Sequence, residues 1–171
     1  MKTVGGQFTT TWSKSRTYIR LIVAVVICQV AGMIGSLFTT PSIASWYAAL
    51  RKPDFTPPNW LFGPVWTTLY LLMGISFYII WNASSERRNP GRAIAIFAVQ
   101  LALNILWSYL FFALRSPRLG LIEIIAMWVA ILATIISFSK ILKTSALMLV
   151  PYLIWVSLAS YLNYMIVVLN P

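Results

Sequence analysis

The chain has 171 residues, 60% of them hydrophobic and only 9% charged, with a mean hydropathy of +0.81 and a formal net charge of +10. A soluble domain carries about a quarter charged residues, so an ordinary soluble globule is excluded. The lack of histidine excludes imidazole catalysis and imidazole-ligated zinc or haem, and the single cysteine, Cys28, leaves no intrachain disulfide or thiolate cluster.

In chain order, residues 1–17 form a polar, basic tail, and a single domain of five apolar runs fills residues 18–171. The runs cover 18–38, 60–82, 92–113, 119–139 and 146–169. Each has the ~20 residues that a helix needs to cross a hydrocarbon core of about 30 Å. They are continuously apolar, not alternating over ten-residue segments, which argues for helices and against a β-barrel. The expected class is an all-α membrane protein, a five-transmembrane-helix bundle. The first run is longer than the apolar part of a signal peptide and has no convincing small-x-small site after it, so it reads as a retained helix.

Span one carries Ala24, Cys28, Gly32 and Ser36 at four-residue spacing, a face of small residues that suits close helix packing within the chain or against a second copy. The connection that follows, Trp46 to Trp66, holds four prolines and four tryptophans or tyrosines. Stiff proline and large aromatics in the longest internal loop predict a cover over something. Span two places Trp66, Tyr70, Met73 and Phe77 at helical spacing, with Pro64 near its first turn, where a missing N–H is tolerated, and Trp81 in the far interfacial belt.

Span three sets Gln100, Asn104, Trp107, Ser108 and Phe111 on one face; amides in hydrocarbon either bond to a neighbouring helix or line a cavity. Span four holds Glu123, about one turn in from Arg118, where snorkelling or pairing is expected. Span five begins at Pro151 and presents Tyr152, Trp155, Ala159, Leu162 and Asn163 on one broad face. Ala159 leaves room beside Trp155, either as a slot for a flat ligand or as ordinary packing.

Nine basic residues (Lys2, Lys14, Arg16, Arg20, Arg87, Arg88, Arg92, Lys140 and Lys143) fall on one side of the spans, against Arg51, Lys52, Arg115 and Arg118 on the other. This bias predicts a cytoplasmic N-terminus and an external C-terminus. Basic residues close to span ends read as attraction to anionic headgroups, with no nucleic-acid partner. The three carboxylates, Asp54, Glu86 and Glu123, are too scattered to form an acid–base pair, and no metal site is visible.

Four ordered motifs together resemble the tryptophan-rich sensory protein/translocator protein (TspO/MBR) family. They are Trp46-Tyr47…Lys52-Pro53 with Thr56-Pro57-Pro58 and Gly63-Pro64-Val65-Trp66, then Leu103-Asn104…Trp107-Ser108, then Pro151-Tyr152-Leu153-Ile154-Trp155, and finally Ala159…Leu162-Asn163-Tyr164. The resemblance implies a long first loop capping an internal pocket, with Trp46, Pro53, Phe55, Pro57 and Pro58 in the lid. It implies ligand contacts from Tyr47, Trp66, Asn104, Trp107, Trp155 and Ala159, and tetrapyrrole ligands such as protoporphyrin IX or haem. No cofactor is required, a homodimer in a prokaryotic cell membrane is expected, and Arg51 or Lys52 would meet a propionate at the mouth. Light- and oxygen-dependent porphyrin breakdown involving Trp66 and Trp155 is the enzymatic alternative, and small-molecule transport is another. Cys28, Met73 and the tyrosines are the remaining candidate iron ligands. Two positions depart from the family pattern. Phe55 stands where tryptophan is frequent, and Leu162-Asn163-Tyr164 lacks the basic residue that completes the cholesterol motif of animal members.

Overall fold

The structure, a computed structural model, describes the backbone of residues 8–83 and 90–171 and the side chains of these from residue 17 onward. Lys2, Arg87, Arg88 and most of the predicted tail's side chains lie outside the described residues. Every regular element described is helical: α1 (Phe8–Ser42), α2 (Asn59–Ala83), α3 (Gly91–Ser108), α4 (Pro117–Ser139), α5 (Lys143–Met148) and α6 (Val150–Leu169). Short π-helical turns, Ile43–Tyr47 and Tyr109–Ala113, extend α1 and α3. Among the described residues, five segments are long and apolar enough to cross a membrane, the last being α5 and α6 taken together.

Three boundaries differ from the sequence reading. Helix α1 starts at Phe8, inside the expected polar tail. Extending an existing helix adds one hydrogen bond per residue ordered, so a span propagates into a flank without breakers. The aromatic connection is largely helical too: the π turn continues α1, α2 begins at Asn59, and only residues 50–58 are irregular. The fifth span is broken at Leu149, because Pro151 lacks the N–H that an unbroken helix requires and instead sits in the first turn of α6.

Helix α1 packs on α2 and α3, α4 packs on α3 and α6, and α5 wedges between α2 and α4. Lipid tails are as apolar as leucine, so association between spans relies on close packing and small residues. The small face of α1 supplies that closeness within the chain. Ala24 and Cys28 are fully buried, and a Cβ on Gly32 would lie 2.4 Å from the Tyr70 ring. The reciprocal contact is Gly74, whose Cβ would lie 2.6 Å from the Val25 Cα. The core of the bundle gathers Met73, Ile80, Phe97, Ile131, Phe138 and Tyr152. The opposite faces, such as Ile22, Val26 and Leu37 of α1 and Ile122, Ile125 and Val129 of α4, remain exposed for lipid.

Glu123 neither snorkels nor pairs. It is 6% exposed and neither carboxyl oxygen has a hydrogen-bond partner. The cause is its place in the helix: it shares the inward face of α4 with Gly120, Ile124 and Met127, while its neighbours Ile122 and Ile125 face outward. Arg20, by contrast, stays at the far end, donating to Asn82 Oδ1 at 3.2 Å with its guanidinium 5.7 Å from the Trp81 ring centroid.

Candidate ligand-binding cavity

Between Gly32 and the first loop, α1 and α2 leave a cavity of about 550 Å³ that α3 and α6 close from behind. Its rear wall is aromatic, with Phe111 and Phe112 buried and the tryptophans half-buried. Trp107 stacks on Phe111 at 5.1 Å, and Phe111 meets Phe112 edge-on at 4.8 Å. Trp66 from α2 and Trp155 from α6 complete this wall, and Ala159 leaves the space beside Trp155 that a larger side chain would fill. The π turns matter here. Ile43–Tyr47 carries Tyr47, and Tyr109–Ala113 carries Phe111 and Phe112, so both irregular turns aim rings at one another. Such turns inside helices are frequent at functional sites.

The floor is a hydrogen-bonded triad. Asn104 Oδ1 accepts from the Tyr70 hydroxyl, and Asn104 Nδ2 donates to the Tyr152 hydroxyl at 2.8 Å. Three helices are tied together by one amide that is only 3% exposed. A second amide orients the rear wall: Asn163 Oδ1 accepts from Trp107 Nε1 at 3.3 Å, and its Nδ2 donates to the Pro117 carbonyl at 2.8 Å. Asn104 and Asn163 therefore bond between helices and also line the cavity, so for them the two readings are not exclusive. Gln100 of α3 instead stays outside the lining, its Nε2 3.9 Å from Met73 Sδ and its Oε1 without a partner.

All six residues carried over by motif, Tyr47, Trp66, Asn104, Trp107, Trp155 and Ala159, line this one cavity. The five lid positions do not. Trp46 packs edge-on against Phe111 at 5.5 Å, behind the wall. Phe55 stacks outside on Tyr161 of α6 at 5.4 Å. Pro53 accepts from the Thr56 backbone and hydroxyl, and Pro57 and Pro58 lead into α2, whose first residues Asn59, Trp60 and Phe62 provide the cover instead.

The loop is nevertheless anchored. Arg51 N–H donates to Asn170 Oδ1 at 3.0 Å, and Asn170 Nδ2 donates to the Arg51 carbonyl at 2.9 Å, a two-point clasp to the end of α6. Lys52 Nζ donates to the Tyr47 carbonyl at 2.6 Å and lies 4.5 Å from the Tyr47 ring centroid. Lys52 is thus a strut that fixes Tyr47, not a free cation at the mouth, and its partial burial lowers its pKa.

Sequence reasoning missed the front wall. Gln29, Ser36 and Thr39 of α1 and Thr67 of α2 line the cavity with hydrogen-bonding groups. The signal was available as hydroxyls and an amide inside apolar spans, but an approach to α2 is needed to place them. The exposed lining residues, such as Met33, Thr40, Trp60 and Gly63, all belong to α1 and α2, so the cavity opens along that seam. Cys28 and Met73 are fully buried in the core and do not reach the cavity, which removes both as ligands to an iron bound there.

A polytopic five-helix membrane protein with an aromatic cavity under its first loop is the class that this arrangement defines. The sequence profile described as the TspO/MBR family matches residues 24–169. The chain is 47% identical over 152 residues to the tryptophan-rich protein TspO of Archaeoglobus fulgidus, covering 89% of this chain and 97% of that one. It is 41% identical over 158 residues to the TspO of Chlorobaculum tepidum, covering 92% and 99%. The human translocator protein is 34% identical over 132 residues, with 77% and 78% covered. The protein belongs to the TspO/MBR family.

Proposed function

We propose that this protein binds a flat hydrophobic ligand of the tetrapyrrole class, such as protoporphyrin IX or haem, and serves the membrane as its sensor, carrier or regulator. The observation that carries this reading is the cavity wall. Trp66, Trp107 and Trp155 surround about 550 Å³, and no charged side chain lies among the described lining residues. That volume is within the ~300–1,000 Å³ range of small-molecule sites. Aromatic faces suit a planar macrocycle, each ring pair adding about 0.5–1.5 kcal/mol beyond the area it buries. Without imidazole and with Cys28 and Met73 in the core, metal-free protoporphyrin is expected to bind about as well as haem. The charge bias supports a cytoplasmic N-terminus in a prokaryotic cell membrane, and a homodimer belongs to the same reading.

The test is a titration of purified protein in detergent with protoporphyrin IX in the dark, followed by tryptophan quenching. Saturation near one porphyrin per chain, lost in Ala159→Phe, is the expected result. Equal or absent binding in wild type and variant would refute it. Trp66 and Trp155 line the same cavity, which supports light-dependent porphyrin oxidation as a second reading. Illumination of the saturated complex under oxygen separates the two by whether product exceeds one equivalent per chain.

A further inference from the structure

The front wall of the cavity presents hydrogen-bond acceptors in an orderly row, and this says more about the ligand than its flatness. Ser36 Oγ donates to the Met33 carbonyl at 2.7 Å, Thr39 Oγ1 to the Gly35 carbonyl at 3.0 Å, and Thr67 Oγ1 to the Gly63 carbonyl at 2.9 Å. Each hydroxyl hydrogen is committed to its own helix, and a hydroxyl has one hydrogen and two lone pairs. Gln29 spends its Nε2 on the Thr67 carbonyl at 3.1 Å across the seam, leaving Oε1 as a further acceptor. All four side chains line the cavity, and all four belong to α1 or α2.

We infer that the cavity selects ligands that are uncharged along the edge facing Gln29, Ser36, Thr39 and Thr67 and carry O–H or N–H donors there. The inference rests on the tetrapyrrole reading and specifies its chemistry. The opposing aromatic wall accepts an apolar face. On the front wall, where Ser36 and Thr67 are exposed along a seam flanked by the lipid-facing Met33 and Leu37, a carboxylate would set its lone pairs against oxygen acceptors with no cation among the described lining residues. Burying such a charge unpaired is far costlier than burying a hydroxyl that finds an acceptor. A propionate-bearing edge is therefore excluded from this wall, and a hydroxyl-bearing edge is favoured.

Two neutral porphyrins isolate the effect. Protoporphyrin IX dimethyl ester has two vinyl groups, where haematoporphyrin IX dimethyl ester has two hydroxyethyl groups, and both have masked carboxylates. Each is titrated in the dark into wild type and into Ser36→Ala/Thr39→Val/Thr67→Val, with the single variants Thr67→Val and Thr67→Ser alongside should the triple variant fail to fold. In wild type the hydroxyethyl ester is expected to bind about threefold to tenfold more tightly, the span of one to two net hydrogen bonds. That ratio is expected to fall toward one in the triple variant, to shrink in Thr67→Val and to be kept in Thr67→Ser. Equal or weaker binding of the hydroxyethyl ester by wild type, or a ratio unchanged in the valine variants, would overturn the inference while leaving tetrapyrrole binding intact. Failure of both esters and of protoporphyrin IX to saturate would overturn the tetrapyrrole reading itself, and the inference with it.

Discussion

Replacing Asn104 by alanine removes the one amide that joins α2, α3 and α6 at the cavity floor. Two hydrogen bonds disappear, from the Tyr70 hydroxyl and to the Tyr152 hydroxyl, and both phenols stay where water is scarce, at 6% and 1% exposure. In soluble proteins a buried group left without its partner costs about 1–3 kcal/mol. Interhelical bonds within membranes are weaker, averaging about 0.6 kcal/mol with a maximum near 1.7, because the dissociated helices find other partners. Two such bonds give an expected destabilisation of about 1–3 kcal/mol, the membrane scale setting the lower end. Cys28 provides the assay. It is the only cysteine and is fully buried, so its labelling by a thiol reagent during thermal ramping in detergent reports opening of the bundle. Tyr70→Phe and Tyr152→Phe complete a double-mutant cycle, in which each tyrosine should couple to Asn104 by about 0.5–1.5 kcal/mol. Coupling energies of zero, with Asn104→Ala as stable as wild type, would refute the triad.

Helix packing predicts a contrast between glycines. Gly74→Val would drive side-chain atoms into the Val25 backbone and is expected to cost about 1–3 kcal/mol and expose Cys28 to labelling, whereas Gly63→Ala meets nothing within 4 Å and should leave labelling unchanged. Asn170→Ala breaks the clasp on Arg51, so hydrogen exchange at the Arg51 amide should accelerate while amides in the middle of α4 keep their protection. Lys52→Met removes the bond to the Tyr47 carbonyl and the contact with the Tyr47 ring. The exposed limit for such a cation–aromatic contact is about 0.5–1 kcal/mol, so Lys52→Met should weaken porphyrin binding modestly through Tyr47 while Lys52→Arg largely restores it.

Much of this was legible in the sequence because lipid imposes simple rules. Continuous apolar runs dictated helices, and the inward faces of spans three and five could be read from residues such as Asn104, Trp107, Trp155 and Asn163 spaced by three and four. The small face of span one was equally clear, but its partner was not: only the approach of Gly32 to Tyr70 and of Val25 to Gly74 shows that it packs within the chain. That the five lid positions do not line the cavity was hidden for a similar reason. Prolines and aromatics advertise an ordered connection, but nothing local says that Phe55 will stack on Tyr161, more than a hundred residues away, or that the first turn of α2 will be the cover. Glu123 defeated the rule that acids near span ends reach for solvent, since helical phase, not depth, decided where it points. The front wall required knowledge of which helix faces α1, and spacing within one span cannot supply that.

The central claim is that the ligand sits inside the bundle, among Trp66, Trp107 and Trp155, and not on its lipid-facing surface. A crystal structure of the protein with zinc protoporphyrin IX tests it most directly, because the anomalous signal of the metal marks the ring centre without reliance on the shape of the ligand density. The account predicts that peak inside the cavity, with the ring against the aromatic wall and its propionates turned away from Ser36, Thr39 and Thr67. A peak on the outer faces of α1 or α4, with the cavity empty of porphyrin, would contradict it.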